Sequence, residues 1–306
     1  MRARKRTNWI PSVSTSLIYS DASVPFFGDG IFIRTMLKLI ATDLDGTLLD
    51  SKQRLPEEIF PIIRALNRRG ILFCPASGRQ YANLKKLFAP VENEVLFMAE
   101  NGALVKYREE TLYLNPIQDA LLKDALDAIR SIEHAYPMLC GENNAYIEDS
   151  QDPFYSCAFA SYTNCVKVNS LDEVIGKEKI CKIAVYDALG SHNNCIKYLP
   201  EKIPFLRTIL SGKDWCDVSQ LTANKGDAMR FIKEKFSFQK EECMAFGDHM
   251  NDYEMLLECG NAFVTENAYP PLKKLIPAVI PANTEGGVLQ KLNEILLSIP
   301  EKEKRL

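Results

Sequence analysis

No apolar run in this sequence approaches the ~18 residues that a membrane-spanning helix needs, so no membrane span is expected. A basic field is missing too: 37 Lys and Arg stand against 40 Asp and Glu, a formal net charge of −3 that argues against a nucleic-acid partner. The nine cysteines are odd in number and form no C-x-x-C pair, and several sit inside apolar runs such as ILFCPA and ECMAFGD. That is the usage of buried thiols in a reducing compartment, not of a disulfide framework or a zinc site. The cytoplasm is therefore the expected location. Repeats and low-complexity tracts are absent, and nothing indicates an obligate protein partner.

What is present suits a globular protein. A hydrophobic fraction of 46% and a charged fraction of 25% over 306 residues fit two domains, or one domain with a large insertion. Residues 1–35 stand apart. They open MRARKR, continue through the Ser-rich PSVSTSLIYSDASVPFFGDG, and lack the continuous apolar core of a secretory signal. They read as a dispensable extension, with Met36 immediately before the first strand.

From Met36 the pattern alternates. LKLIAT reads as a short buried strand. PEEIFPIIRALNRRG reads as a helix with Ile59, Ile62, Ile63 and Leu66 on one face, Pro56 at its first turn, and Gly70 as its stop. Pro61 inside that run predicts a kink or a later start. ILFCPA and VLFMA follow as strands around the short helix YANLKKLF. This rhythm implies a parallel sheet with helices on both faces. Between about 118 and 207 the character changes: helical IQDALLKDALDAIRSI precedes strand-like NAYIED, KICKIAVYD and IPFLRTIL, and aromatic residues crowd the stretch. Then KGDAMRFIKEKF, ECMAF, NDYEMLLECG and NAFVTE resume the alternation. The expected architecture is an α/β fold: a doubly wound, Rossmann-like parallel-sheet core (36–117 and 208–306) with an inserted α+β cap (118–207).

Four polar signals fall at or near the ends of these elements. They are DLDGT (Asp43, Asp45, Gly46, Thr47), SGR (Ser77, Gly78, Arg79), NKG (Asn224, Lys225, Gly226) and GDHMND (Gly247, Asp248, Asn251, Asp252). In a parallel α/β sheet, groups at the carboxyl ends of neighbouring strands converge on one crevice. Two carboxylates about 4 Å apart repel by roughly 4 kcal/mol at an effective dielectric of ~20. Several in one crevice therefore require protonation or a cation. Few, hard oxygen ligands point to Mg²⁺, which is usually completed by substrate phosphate. Lys225 and Ser77 suit a phosphoryl group as a charge and a hydroxyl donor, and paired aspartates can divide nucleophilic from acid–base work. A calcium loop is excluded. Gly46 falls at loop position 4 instead of 6, and position 12 would be Arg54 where Glu is needed.

These motifs, with the accessory NGA at Asn101–Ala103 and NTEGGV at Asn283–Val288, resemble the haloacid dehalogenase superfamily, in particular its Cof-type branch of sugar-phosphate phosphatases with a large cap. The resemblance runs from Met36 to the C-terminus. It implies a Mg²⁺-dependent phosphatase of small phosphorylated metabolites, acting through an aspartyl-phosphate. It also implies roles. Asp43 would be the nucleophile and Asp45 the acid and base. Mg²⁺ would be held by Asp43, the Asp45 carbonyl and Asp248, with Asp252 just outside those ligands. Ser77, Lys225 and Asn251 would hold the phosphoryl oxygens. Arg79 matches the branch with a less defined role, as a possible substrate contact. The leaving group would be read by the cap, where Glu142, Asn143, Asn144, Tyr146 and Lys182 are polar candidates. Two other readings share the architecture: a phosphomutase, and a metabolite-sensing module on a retired scaffold. The intact set Asp43, Asp45, Ser77, Lys225 and Asp248 opposes retirement.

Because no motif or long periodic element precedes Met36, a chain beginning there should keep full activity and melt within about 2 °C of the whole chain, a change worth under ~1 kcal/mol. A larger loss in thermal unfolding would show that residues 1–35 pack on the core.

Overall fold

The computed structural model describes residues 37–299; the expectation for residues 1–35 lies outside them. β1 (Leu39–Thr42) is wholly buried, because both its faces are covered. α1 (Ile59–Arg68) buries the expected Ile59, Ile62, Ile63 and Leu66. It starts late, so Pro61 falls in the first turn, where a missing N–H breaks no helical bond. β2 (Leu72–Pro75), α2 (Tyr81–Leu87) and β3 (Leu96–Ala99) complete the first alternation. β4 (Leu104–Tyr107) then folds back antiparallel on β3, and β5 (Glu110–Leu114) antiparallel on β4.

The inserted segment opens with α3 (Asp119–Arg130), β6 (Ala135–Gly141), β7 (Ala145–Ile147), α4 (Phe154–Ser161) and β8 (Cys165–Lys167). It continues through β9 (Ile180–Asp187), α5 (Cys195–Lys202), β10 (Arg207–Leu210) and β11 (Trp215–Ser219). The chain returns to the core as α6 (Lys225–Phe236), β12 (Cys243–Gly247), α7 (Tyr253–Leu257), β13 (Asn261–Thr265), α8 (Pro270–Leu275), β14 (Val279–Ile280) and α9 (Gly287–Ser298).

The core sheet has the order β14-β13-β12-β1-β2, with every pair parallel. Isolated parallel bridges Phe73–Val95 and Ala76–Met98 set β3 alongside β2. Alternate residues of β1 serve opposite layers. Ile40 packs with α1 and α9 through Ile63, Leu66, Leu292 and Ile295. Leu39 and Ala41 pack with α6, α7 and α8 through Met229, Ile232, Leu256 and Leu272. This is the doubly wound arrangement.

The cap sheet has the order β10-β11-β9-β6-β7-β8. Its central strand β9 is buried along its whole length. One face, with Leu139, Ile183, Val185 and Val218, is covered by α3 and α5. The other, with Met138, Ala184, Tyr186 and Trp215, is covered in part by α4. The boundary drawn at 207 falls at the start of a hairpin that belongs to this sheet. β10 and β11 pair with each other and β11 with β9, so the second layer runs to Ser219. The physical reason is that Cys216 and Val218 complete the apolar face under α3 and α5.

Candidate active site

The chain leaves β1 at Thr42, and the Asp43 amide still donates to the Phe246 carbonyl (2.9 Å), one step beyond the parallel register with β12. Asp43 thus sits at a strand's carboxyl end beside the end of β12. The turn that follows needs Gly46. Its φ is +85°, and a Cβ there would lie 2.2 Å from Asp248 Oδ2. The carboxylate of the fourth motif therefore presses directly on the backbone of the first. Thr47 Oγ1 donates to the other oxygen of Asp248 at 3.2 Å.

Lys225 is the first residue of α6. Asn224 caps that helix, accepting from the Asp227 amide at 2.8 Å, and so sets the angle at which Lys225 enters the core. The lysine is fully buried, and its Nζ donates to Asp43 Oδ1 and Asp252 Oδ1, each at 2.6 Å. Asp252 Oδ2 accepts from the amides of Asp248 (3.0 Å) and His249 (3.1 Å). Both Asp252 oxygens are thus engaged, and the residue orients its neighbours. Burial would lower the Lys225 ammonium, but Asp252 and Asp43 outweigh it and hold the group above its usual range. Burial and then Asp252 raise the Asp43 carboxyl well above the usual range. The same two causes push Asp248 up to about 6.

These shifts share one origin. Asp43, Asp248 and Asp252 each bring a carboxylate oxygen within 4.8 Å of the others. Three carboxylates against the one ammonium of Lys225 leave an excess of two negative charges (3 − 1 = 2) when all are ionised. A divalent cation offsets that excess, and an all-oxygen donor set suits Mg²⁺. The residues fit the ion.

Ser77 follows β2 and is buried, its Oγ accepting from the Arg79 amide at 3.2 Å. Arg79 reaches back to the first motif. Its Nε and Nη2 grip Asp45 at 3.0 and 2.5 Å, and Nη2 also donates to Gln53 Oε1 at 2.6 Å. Asn251 donates to Asn101 Oδ1 at 3.4 Å, which ties the fourth motif to the NGA turn.

A cleft of about 980 Å³ opens above these groups, between core and cap. Asp43, Asp45, Ser77, Arg79, Asp248 and Asn251 line its floor; Tyr162, Lys182, Arg207, Ile209, Trp215 and Asp217 line the cap side. His249 also reaches the cleft, its ring 5.1 Å from that of Tyr269. Of the polar cap residues singled out from sequence, Lys182 alone is here. Glu142, Asn143, Asn144 and Tyr146 stand elsewhere. Glu142 takes Thr111 Oγ1 and Lys106, the Asn143 and Asn144 amides donate to Glu178 Oε1, and the Tyr146 hydroxyl bonds Glu178 Oε2. They secure the β6–β7 turn, and as contacts to a ligand they are set aside. Arg207, Ile209, Trp215 and Asp217 were not singled out, although alternation along β10 and β11 puts all four on one sheet face. Which face meets the core is invisible in sequence.

The haloacid dehalogenase-like hydrolase model matches residues 40–292. Phosphatase YwpJ of Bacillus subtilis is 26% identical over 292 residues, covering 85% of this chain and 100% of its own. The 5-amino-6-(5-phospho-D-ribitylamino)uracil phosphatase YbjI of Escherichia coli is 25% identical over 274 residues, covering 85% and 96%. A crystal structure from Eubacterium rectale superposes with a TM-score of 0.77 at 26% identity, covering 85% of this chain and 99% of that one.

The charge excess generates a pH dependence. Asp248 titrates near 6 when folded, against roughly 3.9 in an unfolded chain. Its contribution to the metal-free protein is fully present below ~3.9 and lost as pH rises through about 6. Asp43 acts in the same direction. Melting in EDTA should therefore show a downward slope from about pH 4 to about pH 6, made shallower by Asp248→Asn, and Mg²⁺ should raise Tm most above that range. Identical slopes in the two proteins, with no Mg²⁺ effect, would contradict the shared site.

Proposed function

This chain belongs to the haloacid dehalogenase-like hydrolase family, and from that premise we propose that it is a Mg²⁺-dependent phosphatase of small phosphorylated metabolites that works through an aspartyl-phosphate. One observation carries the reading. A buried carboxylate at a strand end, Asp43, shares Lys225 with Asp252 and faces a cleft that also holds Ser77 and Asn251.

The Asp43 and Asp248 side chains, with the Asp45 main-chain carbonyl, would hold the ion. When bound, Mg²⁺ neutralises the carboxylates and withdraws charge from the phosphoryl oxygens. Lys225 engages Asp43 Oδ1, which leaves Oδ2 to attack phosphorus. As that bond forms, the bond from phosphorus to the leaving oxygen breaks, and Asp45 donates the proton the leaving oxygen needs. A water then attacks the aspartyl-phosphate, Asp45 takes its proton, and phosphate departs with Asp43 restored. Ser77, Lys225 and Asn251 offer donors to the phosphoryl oxygens throughout. Asp45 is gripped by Arg79 in this structure. Its turn at the leaving oxygen therefore requires it to exchange the guanidinium for substrate.

The substrate is a phosphate monoester small enough for the cleft. Among the described residues no helix is long and apolar enough to cross a membrane. All nine cysteines are unpaired, seven of them buried, which supports the cytoplasm as the place of action.

Asp43→Asn should abolish Mg²⁺-dependent phosphate release while circular dichroism and melting stay near the parent, since the change removes a charge at nearly constant volume. Appreciable turnover in that variant would sink the aspartyl-phosphate mechanism. Phosphate is common to all substrates, so discrimination must come from contacts to the leaving group. Trp215→Ala and Arg207→Gln should reorder kcat/KM across a panel of phosphorylated metabolites, whereas Lys225→Ala should depress every member together. If Lys225→Ala reorders the panel and the two cap variants do not, the cap is not the reader.

A further inference from the structure

Lys182 is the cap cation that the chemistry above leaves unused, although it is buried and lines the cleft. Its Nζ donates to the Gly78 carbonyl at 2.8 Å and to Asp217 Oδ2 at 3.0 Å, and stands 3.2 Å from Glu100 Oε2. Two of those partners, Gly78 and Glu100, are core residues; Lys182 and Asp217 are cap. Gly78 is the middle residue of the turn that carries Ser77 and Arg79.

That turn is gripped from its other side as well. A Cβ on Gly78 would lie 3.0 Å from the Asn101 amide group. The Asn101 amide nitrogen donates to the Ser77 carbonyl (3.0 Å), and that of Glu100 to the Arg79 carbonyl (3.1 Å). Asn101 Nδ2 donates to Asp217 Oδ2 (3.3 Å), the oxygen that Lys182 also holds. Glu100 and Asn101 both adopt positive φ, 51° and 54°, which non-glycine residues avoid unless neighbours hold them there. A lysine present only to neutralise Asp217 and Glu100 would need no carbonyl, yet its shortest contact is to one.

We propose that Lys182 is a positioning residue. It is a buried clasp by which the cap sheet holds the Ser77–Arg79 turn, and so Ser77, Arg79 and, through Asn101, Asn251, in register around the phosphoryl group. The role at the phosphoryl group rests on the phosphatase reading; the clasp itself does not. Losing the clasp moves the donors without removing any of them, and a misplacement of about 1 Å can cost ~100-fold in rate.

The test uses the full chain in three forms: parent, Lys182→Met, and the triple variant Lys182→Met/Glu100→Gln/Asp217→Asn, which removes the buried carboxylates left unpaired. Each is measured for melting, for hydrogen exchange over residues 76–103, for kcat and KM on p-nitrophenyl phosphate and two metabolite phosphates, and for inhibition by inorganic phosphate. We expect Lys182→Met to speed exchange in that segment, to lower kcat by about 100-fold on all three substrates, and to weaken phosphate inhibition about tenfold. The triple variant should regain melting temperature but not kcat. Recovery of both in the triple variant would overturn the proposal, because Lys182 would then only balance charge. So would a changed KM on one substrate with kcat intact, or unaltered exchange in Lys182→Met. Exchange needs no turnover. A parent protein without phosphatase activity would therefore refute the function, while the clasp is still decided by the exchange comparison.

Discussion

A single ammonium group organises this molecule. Lys225, fully buried, bridges Asp43 at the end of β1 and Asp252 beyond β12, and it does so from the first turn of α6. Burying three charges is costly, and deleting one partner of such a cluster typically costs about 3–5 kcal/mol because a charge is left stranded. The arrangement is tolerable because the parallel sheet already brings these carboxyl ends together, and because Asp252 spends its second oxygen on two backbone amides. The remaining charge is deliberately unbalanced. With all three ionised, one lysine cannot neutralise Asp43, Asp248 and Asp252, and the excess equals the charge of one divalent ion.

The surrounding backbone is shaped to bring those carboxylates close. Gly46 has no room for a side chain because Asp248 occupies it, and the positive φ of the turn would be strained in any other residue. Gly247 is bare for a similar reason, since a Cβ there would lie 2.5 Å from Asp252 Cβ. The first and fourth motifs are therefore one packed object, although about 200 residues separate them.

The cap works through the two unlike faces of one sheet. α3 and α5 seal one face; α4 covers part of the other and leaves Arg207, Ile209, Trp215 and Asp217 to the cleft. Its seating on the core joins the buried Cys181, which packs into the core's apolar cluster, to a set of polar contacts. Gln80 and Asn164 exchange hydrogen bonds in both directions, Asn83 bonds the backbone at Ser161 and Thr163, and Lys182 reaches the Gly78 carbonyl. Polar contacts at defined distances specify register more narrowly than an apolar contact would, since each unmatched buried group is penalised.

The sequence by itself determined the parallel core and most of the core site. Apolar runs of strand length ending in Asp43, Ser77 and Asp248 locate a crevice, because strand ends in such a sheet are bound to converge. Helical spacing in Ile59, Ile62, Ile63 and Leu66 is likewise local information, and α1 follows it. Where the cap ends was not legible. The run IPFLRTIL is strand-like in either sheet, and only pairing with β11 assigns it to the cap. The cap side of the cleft was hidden for the same reason. Glu142, Asn143 and Tyr146 look as suited to a ligand as Lys182 does, but polarity does not encode direction. Three-dimensional packing turned the first group toward Glu178 and Lys106, away from the cleft, and turned Lys182, Arg207 and Trp215 into it. Residue type and spacing along a strand are properties of the chain, whereas the partner a sheet face meets is set by elements far away in sequence, and only the tertiary structure decides it.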